Sequence, residues 1–72
     1  MDKFEYIMDW IEEYPCLRCM VKHYNIHVGD IADIYASWDY KEQDVCCYIK
    51  VGYKYYSYSG FCYRNGDISY DD

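Results

Sequence analysis

Residues 45–58, Val45-Cys46-Cys47-Tyr48-Ile49-Lys50-Val51-Gly52-Tyr53-Lys54-Tyr55-Tyr56-Ser57-Tyr58, decide the fold. Val45, Cys47, Ile49, Val51, Tyr53 and Tyr55 share one parity. Cys46, Tyr48, Lys50, Lys54, Tyr56 and Tyr58 occupy the other, with Gly52 among them. Strand side chains point alternately to opposite faces. Aromatic and β-branched residues fit a pleated, half-buried surface. The stretch predicts a strand, and its length predicts a bend or bulge at Gly52.

Downstream, Ser59-Gly60 reads as a turn. Phe61–Arg64 and Asp67–Tyr70 flank Asn65-Gly66, a short hairpin signal. Asp71 and Asp72 are expected to fray. Upstream, Asp39–Asp44 is polar and reads as a loop. Residues 31–38 fit two patterns. As a strand, Ala32, Ile34, Ala36 and Trp38 share a face; as a helix, Ile31, Ile34, Tyr35 and Trp38 do. The strand is preferred. Gly29-Asp30 reads as a hairpin turn after Met20, Tyr24, Ile26 and Val28, which share a parity that Lys22 breaks. A tight turn there would oppose the wrong parities, which a longer loop or a bulge would repair.

Residues 3–14 read as a helix. Phe4, Ile7, Met8, Ile11 and Tyr14 recur on one face. Asp2 is the expected N-cap, with Glu5 completing a capping-box pattern. Pro15 ends the helix. The expected architecture is α+β: one domain over residues 1–72, with one N-terminal helix packed on an antiparallel sheet of three to five strands. A helix-turn-helix with a winged sheet is the alternative if residues 28–38 are helical. Asp30 and Asp33 would give its reading helix the wrong sign for phosphate.

A 72-residue chain buries only about 60% of its unfolded surface, so its stability margin is thin. Twelve tyrosines offer apolar bodies with polar tips, suited to half-buried sheets and interfaces. The N-terminus is charged and lacks the apolar segment of a secretory signal. No stretch is apolar enough to span a membrane. A cytoplasmic location is expected, with Cys16, Cys19, Cys46, Cys47 and Cys62 as free thiols.

Four constellations could carry chemistry. Cys16, Cys19, His23 and His27 are zinc-type ligands. Only three residues separate the cysteine pair from the first histidine, which is wrong for a zinc finger. No metal or other cofactor is expected. Cys46 and Cys47 point to opposite faces of a strand, so no redox partnership is expected between them. Lys50, Lys54 and Arg64, interleaved with Tyr48, Tyr53, Tyr55, Tyr56, Tyr58 and Tyr63, form an acid-free strip over residues 45–66. Such a strip suits single-stranded nucleic acid in principle. With a net charge of −6 on the chain, direct nucleic-acid binding is not expected.

The fourth constellation is acidic. Asp2, Glu5, Asp9, Glu12 and Glu13 crowd the helix; Asp30, Asp33, Asp39, Glu42 and Asp44 crowd two expected loops. No nucleophile, oxyanion-hole or phosphate-loop motif accompanies them, so catalysis is not expected. Net charge of this sign speeds encounter with a basic protein surface. In size, acidity and lack of enzymatic motifs the chain resembles small phage or mobile-element anti-defence proteins of the anti-CRISPR and antirestriction type. That resemblance implies a stoichiometric inhibitor of a nucleic-acid-processing enzyme, such as a host-defence nuclease. The expected contacts are Asp9, Glu12, Glu13, Asp30, Asp33, Asp39, Glu42, Asp44, Tyr56 and Tyr58. A structural or self-associating domain, as a symmetric dimer, is the second reading, and a weak single-stranded nucleic-acid binder using the Tyr/Lys strip is the third.

Overall fold

A computed structural model describes residues 2–39 and 41–69. Helix α1 spans Lys3–Glu13, α2 spans Pro15–His23, and a 3₁₀ turn covers Val28–Asp30. Strands β1 (Ile31–Asp39), β2 (Asp44–Val51) and β3 (Lys54–Phe61) follow. They form one antiparallel sheet in the order β1-β2-β3. The α+β class holds, with two helices where one was expected.

The α1 start follows its capping residue: the Asp2 carboxylate accepts from the Glu5 N–H at 2.9 Å. Ile7 and Ile11 face the core, while Phe4 is 58% exposed, against the expected stripe. Tyr14 is extended (φ −114°, ψ 101°), the conformation a residue before proline prefers. Pro15 therefore ends α1 and also begins a second helix, where its missing N–H costs nothing. Cys16, Leu17 and Met20 form the buried side of α2.

The strand expected around Met20–Val28 is replaced by α2 and its cap. Asn25 adopts φ 54°, and Ile26 N–H donates to Val21 O at 2.9 Å. The Asn25 N–H donates to Lys22 O at 3.4 Å, completing a Schellman ending. Arg18 Nη1 donates to Ile11 O and Glu12 O, each at 2.8 Å, and so ties α2 to the open end of α1.

Residues 31–39 are strand, in a form that reconciles the two sequence patterns. A register shift falls between Ile31 and Asp33. It buries Ile31 along with Ile34 and Ala36 while Ala32 stays exposed. The long strand expected over residues 45–58 is instead a hairpin. Val51 pairs with Lys54 around Gly52-Tyr53, and Gly52 takes φ 61°, as a two-residue turn demands. The turn reverses the chain and resets the parity. Tyr56 and Tyr58 join Val45, Cys47 and Ile49 on one side, and Tyr55 joins Tyr48 on the other.

Ser59 and Gly60 lie inside β3 and make no turn. The Asn65-Gly66 turn forms, closed by Tyr63 N–H to Asp67 O at 2.6 Å, but among the described residues its flanks make a single bridge, Cys62 to Ile68. Tyr40 of the expected loop, and Tyr70, Asp71 and Asp72, lie outside the described residues. Both helices cover one sheet face, and the core between the layers is made by Ile7, Ile11, Leu17, Met20, Ile34, Val45, Ile49 and their neighbours.

Candidate functional site

Among the described residues no helix lies on the other sheet face. Its rows follow from the register: Asp33, Lys50 and Tyr55; Tyr35, Tyr48 and Ser57; Ser37, Cys46 and Ser59; Asp39, Asp44 and Phe61. Tyr35 is 43% exposed and Tyr55 59%. Their rings form a series across the strands. Tyr35 stacks on Tyr48 with centroids 5.8 Å apart, and Tyr48 meets Tyr55 edge-on at 5.7 Å. Trp10 reaches round from α1 to within 6.1 Å of Tyr35, with Tyr6 at 6.4 Å behind it. Five aromatic rings from α1 and all three strands thus run in one line.

Asp33 sits beside this line. Its Oδ2 accepts from the Tyr48 hydroxyl at 2.9 Å, and its Oδ1 accepts from the Ile34 N–H at 2.9 Å. The hydrogen bond to Asp33 pushes the Tyr48 phenol above its ordinary range, with desolvation adding to it. Lys50, the cross-strand partner of Asp33, lies over the Tyr55 ring with Nζ 5.4 Å from the centroid. Lys54 does the same over Tyr56 at 4.7 Å.

The expected contact acids are all on the surface. Asp9, Glu12 and Glu13 are exposed on α1, and Asp9 and Glu13 follow Tyr6 and Trp10 at three-residue spacing, on the same flank. Asp30 closes the 3₁₀ turn. Asp39 and Asp44 face each other at the end of the β1–β2 ladder with Glu42 between them in sequence. Asp39 Oδ1 also holds the turn, accepting from Lys41 and Glu42 N–H groups at 2.9 and 3.2 Å. Among the described residues no lysine or arginine nitrogen comes within 4.0 Å of any carboxylate oxygen.

Tyr56 and Tyr58 differ from the other expected contacts. Both are half-buried on the helix-covered side. Tyr56 meets Tyr24 at 4.8 Å, and the Tyr58 hydroxyl donates to Phe61 O at 2.8 Å. The exposed rings are Phe4 and Tyr6 on α1 and Tyr35, Tyr55, Phe61 and Tyr63 beyond it, with Tyr53 at the turn tip. Reading Gly52-Tyr53 as a two-residue turn would have placed Tyr55 with Tyr48. Trp10 carried no periodic signal that would link it to β1.

The structure does not bring Cys16, Cys19, His23 and His27 together. Cys16 is buried in the core. Cys19 Sγ donates to Asp67 Oδ1 at 3.1 Å. The His27 Nδ1 accepts from the Gly29 N–H at 3.1 Å, and His23 lies edge-on to Tyr24 at 4.8 Å. No group of three or more metal-ligating side chains converges among the described residues. Cys46 is exposed and Cys47 buried, as strand alternation requires. All five thiols are unbridged.

A cleft of about 690 Å³ lies between α2 and the C-terminal turn, lined by Arg18, Lys22, His23, Asp67 and neighbours. Helix ends account for its cations: Arg18 caps α1, while Lys22 and His23 occupy the last turn of α2, where positive charge is favoured.

No family model matches the chain, and neither a curated protein nor a solved structure shows detectable similarity to it. Among the described residues no helix is long and apolar enough to cross a membrane.

Proposed function

We propose that this chain is a non-enzymatic protein-binding module that docks on a partner with a basic surface. The observation that carries this reading is the state of the acids. Of 13 carboxylates in the sequence, all but Asp71 and Asp72 lie in the described region, and none there is matched to a lysine or arginine. Asp2, Asp33, Asp39 and Asp67 accept hydrogen bonds within the fold, yet all the described carboxylates stay exposed and, without a cationic partner, generate a long-range field.

A basic groove that ordinarily holds nucleic-acid phosphates is the natural complement. The chain then acts as a stoichiometric inhibitor in the cytoplasm, as the likeness to anti-defence proteins implies. Unbridged thiols suit that reducing compartment.

Affinity capture at low and high salt, followed by elution with duplex DNA, tests this reading. The expected result is a partner held at low salt and released both by salt and by DNA. Retention of no partner at low salt, or release by neither, would overturn it.

A symmetric dimer is the second reading, favoured by β3. That strand pairs only with β2 among the described residues and carries no carboxylate. Light scattering across a concentration series tests it, and a monomer throughout excludes it.

A further inference from the structure

We propose that the open sheet face, centred on Tyr35, Tyr48 and Tyr55, is the surface that docks the partner, and that the partner presents arginine side chains to it. This rests on the basic-partner reading above and adds the place and the chemistry.

The face joins two features that protein interfaces use together. Tyr48 stands on the central strand with Tyr35 and Tyr55 on the strands either side, and charged groups lie in the rows toward the two ends, Asp33 with Lys50 and Asp39 with Asp44. Its charges are selective. Asp33, Asp39 and Asp44 face outward against one ammonium, Lys50. Although Lys50 stands opposite Asp33 in the ladder, its charge lies over Tyr55, and no lysine or arginine nitrogen reaches the Asp33 carboxylate. An outside cation therefore finds a carboxylate beside an aromatic series whose outermost ring already attracts a cation from within the chain.

A guanidinium suits this pairing better than an ammonium. It lies flat against aromatic surface and bonds a carboxylate with two parallel N–H groups. Two alternative occupants fit less well. A second copy would bring the same three carboxylates against themselves. A nucleic acid strand could use the rings, but its phosphates would meet a surface of net negative charge.

The experiment is an NMR titration of the ¹⁵N-labelled chain with three probes: an arginine-rich peptide, a lysine-rich peptide of equal length and charge, and oligothymidylate. The expected result at low salt is that the arginine peptide moves the amides of Asp33, Tyr35, Cys46, Tyr48, Tyr55 and Ser57. It binds about two- to fivefold tighter than the lysine peptide. Asp33→Asn and Tyr55→Ala each weaken it by a similar factor, and Glu5→Gln, on the far side of α1, leaves it unchanged. Cationic binding mapped to α1 or to the Val28–Asp30 turn would overturn the placement while leaving the basic-partner reading standing. Equal affinity for the two peptides at the sheet face would overturn the arginine preference. Preference for oligothymidylate would replace the protein partner with a nucleic acid. Binding of neither peptide would remove the basic-partner reading and this proposal together.

Discussion

On β2, Val45, Cys47 and Ile49 are buried beneath the helices, while Cys46 and Tyr48, one residue away in each case, belong to the uncovered side. The same backbone therefore serves two environments. The covered side is aliphatic and sulfur-rich: the Cys47 thiol lies 3.1 Å from Met20 Sδ, and its hydrogen bond to Cys16 and its burial push it well above the ordinary thiol range. The uncovered side carries aspartate, serine and tyrosine, residues that contribute little to a core. The contrast teaches that the buried side carries the core, and under the docking proposal the opposite side carries recognition, so substitutions on one should leave the other's property intact.

The largest test of that separation is Leu17→Ala. Leu17 is fully buried on α2, and its truncation should cost about 2–5 kcal/mol. A chain of this length has a total stability of roughly 4–11 kcal/mol, so a large part of the folded population is at stake. Urea denaturation should show a much lower midpoint, whereas Tyr55→Ala on the open face should barely move it. A comparable loss from Tyr55→Ala would mean that the aromatic series is structural.

Gly66 and Gly52 sharpen the comparison at two turns. Gly66 has φ 93° and lies against Pro15, where an added Cβ would overlap the proline ring. Gly66→Ala should cost about 2–4 kcal/mol, combining backbone strain with overpacking. Gly52 has φ 61° and open space around it, so Gly52→Ala should cost only about 1 kcal/mol and Gly52→Asn less. Thermal melts of the variants should fall in that order. Equal costs would mean that the C-terminal turn is not clamped under α2.

Next in size is the pair Cys47→Ser and Cys46→Ser. A hydroxyl at position 47 enters a pocket of sulfur and hydrocarbon and should cost about 1–3 kcal/mol. The same change at exposed position 46 should stay within about 0.5 kcal/mol. With limiting maleimide, Cys46 should be modified first and Cys47 last.

The elements legible from sequence were those where one local signal dominated. Asp2 and the spacing of Ile7 and Ile11 marked α1, and alternation marked β2. The opposite fates of Cys46 and Cys47 followed from alternation alone. α2 was missed because nine residues containing two cysteines and a leading proline carry a short pattern, and Met20, Tyr24, Ile26 and Val28 imitate a strand. The parity error at Tyr55, Tyr56 and Tyr58 came from reading Gly52 as a bend within one strand, and one two-residue turn exchanges the faces of everything after it. The acids expected as contacts are exposed, but Asp33, Asp39 and Asp44 lie on strands β1 and β2 where loops were expected. The aromatic line was not legible, because it depends on register and on Trp10 reaching round a sheet edge.

The smallest effect concerns the Tyr48–Asp33 hydrogen bond and reports directly on the uncovered side. Charge on Asp33 favours the neutral phenol, so Tyr48 should ionise above its ordinary value of 10.0. The sign follows: the bond's contribution is intact below that value and is lost as pH rises through Tyr48's own higher value. Asp33→Asn should bring the ionisation back down, visible as earlier phenolate absorbance. An arginine peptide keeps its charge at such pH. Seated on Asp33, it would compete for the carboxylate and lower the Tyr48 value in the same direction as the substitution. A Tyr48 titration unmoved by saturating peptide would place the bound cation elsewhere on the molecule.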